Sequence, residues 1–541
     1  MKYKYLYTIA FALVSSSVCA QETYENASFA NHDLNGTARY VGMGGAMDAL
    51  GAEISTIGSN PAGIGLFRKS MISTSLGIVT QRDAKTFGKG NKTNMSFDQI
   101  GFVYTMRDED DSFLNFSFNY HKGKNFNQIL NAADRFQQYI VDGKPTYVSS
   151  QNKSVYQKVK NGVFNSNRDQ TYSYLDDLYM TKVITMKDEH GKDVYVNYPA
   201  TDYIFNRNTS GYIGNYDFNI SGNLNDRVYL GLTLGIKDIH YRSYSEYQEQ
   251  MDANKEKLNS LGLINDREIT GSGYDIQAGI IFRPIGSSPL RFGFSIATPT
   301  FYSLTTRGYV QMNYDMDPSS AYISGHKKVP VDSYDFKFFT PWRFGLSIGH
   351  TVGNYLALGA SYEYANYGAS DIRTTDGYEA SAWGTYELSS RDVQMKRNIE
   401  SVLRGVSTFK LGMEFRVIPQ LAMRLGYNYL SPMYSKNGMK NMVDYRYIAS
   451  PGHVLTTSTD YVNWQATNRY TCGVGFKVGK VNLDLAYQYT MTKGEFHPFN
   501  TLTIGDLAKP GDTATADDNI ENPVNVSNKR SQLLFTVGYR F

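Results

Sequence analysis

From Ser70 to the end of the chain, apolar and polar residues alternate over segments of about ten residues, the period of a β-strand whose two faces meet different surroundings. In the last segment, Leu533, Phe535, Val537, Tyr539 and Phe541 share one face, and Thr536, Gly538 and Arg540 the other. Leu114, Phe116, Phe118 and Tyr120 stand opposite Asn115, Ser117 and Asn119 in the same way. Val228, Leu230, Leu232, Leu234 and Ile236 face away from Thr233 and Lys237, and Phe409, Leu411, Met413 and Phe415 from Lys410, Glu414 and Arg416. The pattern predicts strands near 70–81, 96–107, 112–123, 209–224, 228–247, 271–283, 290–307, 335–352, 355–373, 404–417, 421–432, 467–477, 481–494 and 529–541. That is about fourteen, an even number suited to a closed antiparallel barrel.

A soluble sandwich also alternates, so the connections decide which face is buried. The even-numbered links are short and built from turn formers: Asp108 to Asp111, Asn225-Asp226, Pro284 to Pro289, Gly353-Asn354, Ile418 to Gln420 and Gly479-Lys480. The odd-numbered links are long, and the longest spans 125–208. Short turns at one end and long loops at the other are the habit of transmembrane barrels, in which the apolar face meets lipid. The 44 Tyr, 29 Phe and 48 Gly against 15 Pro fit such strands and their aromatic girdles. After the N-terminus no run of some 18 apolar residues occurs, so a bundle of membrane helices is excluded.

The N-terminus reads as an export signal: Lys2 and Lys4, an apolar stretch from Tyr5 to Val14, then Val18-Cys19-Ala20. Cleavage is expected after Ala20; lipidation at Cys19 is the alternative, disfavoured by the bulky Val18 before it. Losing Lys2 and Lys4 lowers the net charge from +3 to +1, too little for a nucleic-acid partner. Cys472 is then the only cysteine, so no disulfide framework exists.

With the lipid face fixed, Asp217, Lys237, Asp275, Arg283, Arg291, Arg343, Glu363, Lys410, Glu414, Arg416, Arg424 and Asp484 point inward, and their mixed signs predict ion-pair networks. Gly101, Gly231, Gly235, Gly279, Gly293, Gly345, Gly359, Gly412, Gly426, Gly473 and Gly538 also fall on inward positions. Glycine weakens a strand and is kept where the sheet bends or another backbone comes close. A candidate for that backbone is the segment 21–69, which is not strand-like and is rich in small residues such as Gly42, Gly44, Gly45, Ala46, Ala49, Gly51, Ala62 and Gly63.

The run Ala38 to Ala46, the motif Asn60-Pro61-Ala62 with Gly63-Ile64, and the later pieces Arg291-Phe292-Gly293, Thr298 to Tyr302, Thr340 to Arg343 and Leu411 to Phe415 resemble the FadL-type family of fatty-acid and hydrocarbon transporters. The resemblance implies an all-β fold, a transmembrane antiparallel β-barrel of about fourteen strands with an N-terminal hatch in its lumen, in the outer membrane of a Gram-negative bacterium. The expected division is a signal peptide at 1–20, a hatch at 21–69 and a barrel at 70–541. Asn60, Pro61 and Ala62, with Gly44 and Gly45, map to the hatch. The resemblance also implies diffusive passage of a hydrophobic ligand from an external groove to a lumenal site and out through the wall at a kinked third strand, with no cofactor. Residues 112–123 carry no kink signature beyond Gly123, so the side opening is not placed by sequence. An apolar cluster in the loop after the fifth strand, Leu258, Leu261, Leu263 and Ile264, with Tyr309, Met312 and Tyr314, is the candidate ligand site. Expected partners are the ligand, outer-membrane lipid and lipopolysaccharide, and the barrel assembly machinery through the terminal Phe541; the chain is expected to act as a monomer.

Two other classes compete. An enzyme needs an activated nucleophile or paired carboxylates, yet the eight histidines are scattered without metal-ligand spacing. A surface-binding or adhesion barrel, including one that captures haem or a host ligand, would work through the long Tyr- and Asn-rich loops.

Overall fold

The computed structural model describes residues 23–88, 90–109, 112–160, 173–252, 258–316, 325–381, 384–440, 456–501, 512–515 and 518–541. The expected signal peptide, 1–20, lies outside the described residues.

The alternating segments form one closed antiparallel barrel of fourteen strands. The first six are β1 (Met71–Gln81), β2 (Thr93–Glu109), β3 (Ser112–Asn125, resumed at Gln128–Arg135), β4 (Ala200–Leu224), β5 (Val228–Met251) and β6 (Leu258–Phe282). Four more strands are interrupted: β7 (Arg291–Ala297, Phe301–Met316), β8 (Gly325–Phe339, Arg343–Val352), β9 (Leu356–Asn366, Asp371–Ser381) and β10 (Gly384–Arg391, Gly405–Ile418). The ring ends with β11 (Leu421–Leu430), β12 (Tyr461–Val478), β13 (Val481–His497) and β14 (Val524–Arg540). It closes where β14 pairs with β1, from Met71 opposite Arg540 to Gln81 opposite Arg530. Phe541 N–H then donates to the Ser70 carbonyl at 3.0 Å, so the seam is bonded to its last residue.

The phase is as the alternation predicts. Every strand turns large apolar side chains outward, from Ile72 on β1 through Leu232 on β5 and Leu346 on β8 to Phe535 on β14, and they stay exposed. A closed barrel with such a girdle and a polar interior is a transmembrane barrel, because lipid is the only surrounding in which that much outward apolar surface is stable.

The strands do not stop at the membrane. β5 has 24 residues and its neighbours 25 each, or about 80 Å of strand at 3.3 Å per residue, against a hydrocarbon layer of about 30 Å. Along β5 the polarity inverts once. Leu230, Leu232, Leu234 and Ile236 face out over Thr233 and buried Lys237; beyond them Asp238, His240, Arg242, Glu246 and Gln248 face out over buried Ile239, Tyr241, Tyr247 and Met251. The lower half is a lipid-embedded wall, and the upper half is a soluble barrel with an apolar inside. This corrects the expected loop after the fifth strand: Leu258, Leu261, Leu263 and Ile264 lie on β6, and Tyr309, Met312 and Tyr314 on β7.

The expected long loop 125–208 is likewise structured over its described residues, 125–160 and 173–208. These hold the upper part of β3, the hairpins 138–147 and 185–195, two α-helices and the start of β4, and their side chains help fill the external apolar core. That core joins Leu175, Leu178 and Tyr179 to Phe205, Tyr247, Leu261, Met312, Phe496 and Phe499.

Leu232 faces lipid at half of its maximal exposure. Leu232→Arg is therefore expected to destabilise the refolded barrel in lipid vesicles by about 2–4 kcal/mol in urea titrations, whereas His240→Arg, above the inversion, is expected to cost nothing measurable.

Candidate functional site

The lumen is filled from the N-terminus. Helix α1 (Thr23–Ala30) lies high in the barrel, and a short helix α2 (Ala38–Gly42) and two 3-10 turns, Ile54–Gly58 and Pro61–Leu66, lie lower. Each of the lower pieces begins at a capping side chain: Thr37 accepts from Tyr40 N, Glu53 from Ser55 N and Asn60 from Ala62 N. Pro61 takes the first helical position, where its missing N–H costs nothing. Gly44 and Gly45 turn the chain with φ of +63° and +78°, which L side chains rarely adopt.

This segment lies directly on the wall, and the inward glycines are the reason it can. A methyl group on Gly231 would overlap the backbone of Pro61 and Ala62, one on Gly359 the Ala46 carbonyl, one on Gly412 the Met43 carbonyl, and one on Gly426 the Gly44 amide. Gly279 and Gly293 flank the Asn60 side chain, and Gly101 leaves room for Ile54. Gly235, Gly345 and Gly538 meet only wall atoms, so at those three positions the expected contact is absent.

Between the glycines, wall side chains donate to the segment's carbonyls. Asn115 reaches Ile64 at 3.0 Å, Thr233 reaches Ile57 at 3.1 Å, Arg291 reaches Leu50 at 3.2 Å, Thr471 reaches Gly42 at 3.2 Å and Asn428 reaches Gly44 at 3.3 Å. On β14, the Thr536 hydroxyl accepts from Ala38 N–H at 2.7 Å. An irregular backbone can thus lie at membrane depth because the barrel supplies the partners that its own secondary structure does not.

Most of the inward charges pair as the mixed signs predict, and two of them pair with this segment; Arg283 and Arg291 donate to backbone carbonyls instead. Glu414 accepts from Arg39 at 2.9 Å and from Arg424 at 2.8 Å, and Arg424 also reaches Asp484 at 2.6 Å. Lys410 sits 3.5 Å from Asp48 and 3.9 Å from Glu363, and Lys237 lies between Asp217 and Asp275 at 3.5 and 3.6 Å. Breaking one member of such a buried set costs about 3–5 kcal/mol, because the remaining charge is left uncompensated.

Above this seal lies a cavity of about 240 Å³. Phe126, Leu130, Tyr241, Tyr367, Leu430 and Trp464 give it an apolar side, and Lys124, Arg207, Arg267, Arg469 and Arg530 a cationic one. Tyr24 of α1 stacks on Tyr434 at 5.0 Å and closes part of its wall.

Next to the cavity, the barrel wall parts. The ladder between β2 and β3 begins only at Gln99 opposite His121, so 93–97 of β2 pair with β1 alone and Asp98 sits in a bulge. β3 is bulged between Lys122 and Lys124, then leaves β2, stays on β4 and reaches the top of β1, where the Gln81 side chain bonds both backbone groups of Ile129 at 2.8 Å. The kink thus falls at Gly123, the one residue of 112–123 that the sequence set apart. The opening is filled from inside: Asp33 N–H donates to the Gly123 carbonyl at 2.8 Å, and the Asn35 amide reaches Lys122 O at 3.0 Å and Asp98 at 2.8 Å.

The residues assigned from sequence divide clearly. Gly44, Gly45, Asn60, Pro61 and Ala62 all lie in the lumenal segment against the wall. Leu258, Leu261, Leu263 and Met312 are brought together with Tyr314, but in the solid external core, and none of the seven ligand candidates lines the cavity. Tyr309 lies apart, under Lys328 at 3.7 Å, and Ile264 alternates with buried Leu263. The cavity's own residues were missed because Phe126, Leu430 and Trp464 sit at strand ends, where the alternation fades.

These features define a plugged transmembrane barrel with a lumenal cavity and a lateral gap. No family model matches the chain, and no curated protein matches it. Among solved structures it is similar to the toluene transporter TbuX of Ralstonia pickettii, at 12% identity over 94% of this chain and 99% of that one, with a TM-score of 0.46. A FadL homologue of Pseudomonas aeruginosa is similar at 13% identity with the same coverages and a TM-score of 0.46, and the toluene transporter TodX of Pseudomonas putida at 10% identity over 94% and 99%, with a TM-score of 0.45.

If the glycines seat the lumenal segment, Gly412→Val is expected to expel it, since overpacking costs about 1–3 kcal/mol at each site. Trypsin should then cut at Arg39 in isolated membranes while the barrel keeps its heat-modifiable gel mobility. Gly538→Val, which meets nothing of the segment, should leave Arg39 protected.

Proposed function

We propose that this chain is a passive outer-membrane channel of the FadL type, which takes up small hydrophobic or amphipathic molecules and releases them sideways into the membrane. The observation that carries the reading is the conjunction of an apolar-sided cavity, a sealed lumen below it and an unpaired stretch of wall beside it. A straight aqueous path is closed by 38–66, in contact with the wall from β2 round to β14, whereas the gap between β2 and β3 has no backbone ladder and is bridged by the contacts of 33–35, by a Lys122–Ser96 hydrogen bond at 2.6 Å and by Phe97 stacked on Tyr120. For an apolar solute, a side exit into lipid avoids the periplasmic water that a straight pore would force it to cross.

Capture needs no charged anchor, since apolar burial contributes roughly 25 cal/mol per Å² of ligand surface. The ligand contacts belong to the cavity, with Phe126, Tyr241, Leu430 and Trp464 on its apolar side. Leu258, Leu261, Leu263 and Met312 support the walls from the external core rather than touching the solute. The exposed terminal Phe541 is the residue we expect the barrel assembly machinery to read, and the chain serves as a monomer in lipid and lipopolysaccharide.

The test uses cells that depend on this channel for uptake of labelled octadecenoic acid. Deleting Gly123 lets β3 zip onto β2, and uptake is expected to fall to the background of cells without the channel while the barrel remains folded. Deleting 23–69 is expected to give a steady ion conductance in planar bilayers, and Asn60→Ala to alter uptake. Normal uptake in the Gly123 deletion would refute the side exit. If uptake persisted but removal of the hairpin 185–195 abolished attachment to a surface ligand, adhesion would be the better reading.

A further inference from the structure

Asp33 stands between two voids. It lines the 240 Å³ cavity together with Asn125, Arg469 and Arg530, and the same four residues line a smaller void of about 30 Å³ that also touches Asn35 and Asp98, which border the wall gap. Its carboxylate is shared by Lys124 at 3.5 Å, Arg530 at 3.8 Å and Arg469 at 3.9 Å, and it accepts from Asn125 N–H at 3.0 Å. The other two acids of the cavity are matched singly, Glu25 with Arg267 at 2.8 Å and Asp460 with Arg207 at 2.6 Å. Three cations therefore converge on one carboxylate, from β3, β12 and β14. That carboxylate is carried by the same short segment whose backbone closes the gap.

Resting on the channel reading above, we propose that Asp33 is a built-in stand-in for the carboxylate of an amphipathic ligand, and that the ligand opens the gap by taking its place. The three cations are mostly buried, and burial without a counter-ion is costly, so a carboxylate is held there at all times. Exchanging one carboxylate for another changes that balance little. The ligand's tail decides the exchange, because it adds apolar burial against Phe126, Tyr241, Leu430 and Trp464 that Asp33 does not provide. Once displaced, Asp33 gives up Asn125 N–H, and the adjoining contacts of its own N–H with Gly123 O and of Asn35 with Lys122 O lose their anchor. A neutral molecule of the same shape fills the apolar side but has nothing to offer the cations, so it leaves the latch shut. Asp33 thus makes the channel selective for anionic amphiphiles at the gap, not at the cavity.

The test compares a fluorescent conjugated-polyene C18 fatty acid with its methyl ester on the purified full chain in detergent. Removing the internal competitor, Asp33→Asn is expected to tighten binding of the acid roughly tenfold and leave the ester unchanged. Arg530→Gln, which removes a cation and leaves Asp33 in place, is expected to weaken the acid severalfold and again spare the ester; it carries the same contrast should Asp33→Asn fail to fold. In the unaltered protein, hydrogen exchange in 31–36 and 122–126 is expected to rise with the acid and stay constant with the ester. If Asp33→Asn shifts acid and ester alike, or the acid leaves exchange unchanged, the latch is refuted and the channel reading stands. If neither probe binds any form of the protein, the channel reading falls and takes the latch with it.

Discussion

The structure depends on backbone lying against backbone. In most of the wall an inward side chain would hold a filling peptide several ångströms away. Here Gly231, Gly359, Gly412 and Gly426 let 43–62 touch the strands directly. Close approach brings Asn115, Thr233, Arg291, Asn428 and Thr471 within reach of the segment's carbonyls, and a segment with little secondary structure of its own becomes stable at membrane depth. The ion pairs of Arg39 and Asp48 with Glu414 and Lys410 follow from the same proximity. Remove the glycines and both networks lose their geometry.

The flank beside Gly123 is built differently from this seal. There 33–35 bridges a wall already broken by the bulge at Gly123 and the unpaired stretch of β2, through hydrogen bonds to 122–125 and Asp98 and through the ion pairs of Asp33. The barrel thus separates two tasks. On the reading proposed above, its lower lumen is the seal and its flank the exit.

Much of this was legible from residues alone. The fourteen strands, the lipid-facing phase and the glycine contacts follow from a two-residue period and from the rule that a strand glycine marks a bend or a near neighbour. The upper barrel was not legible, because the polarity inverts between Ile236 and Ile239 on β5; read with the membrane phase, the continuing strand looks like a loop. That single inversion moved Leu258, Leu261, Leu263 and Met312 from an expected binding groove into a packed core. Gly123 stood out in the sequence, but the opening beside it did not, for another reason. A bulge is a property of the pairing between two strands, and one glycine in one segment does not disclose which partner is lost.

The central claim, that the leading segment is docked on the inner wall, is tested most directly by a covalent link. Ala38 N–H meets the Thr536 hydroxyl at 2.7 Å, which brings the two residues into direct contact. In a Cys472→Ala background, Ala38→Cys with Thr536→Cys is expected to form a spontaneous crosslink in intact outer membranes, seen as a mobility shift reversed by reductant. Two thiols that stay unlinked under oxidant and both react with a water-soluble maleimide would contradict the account.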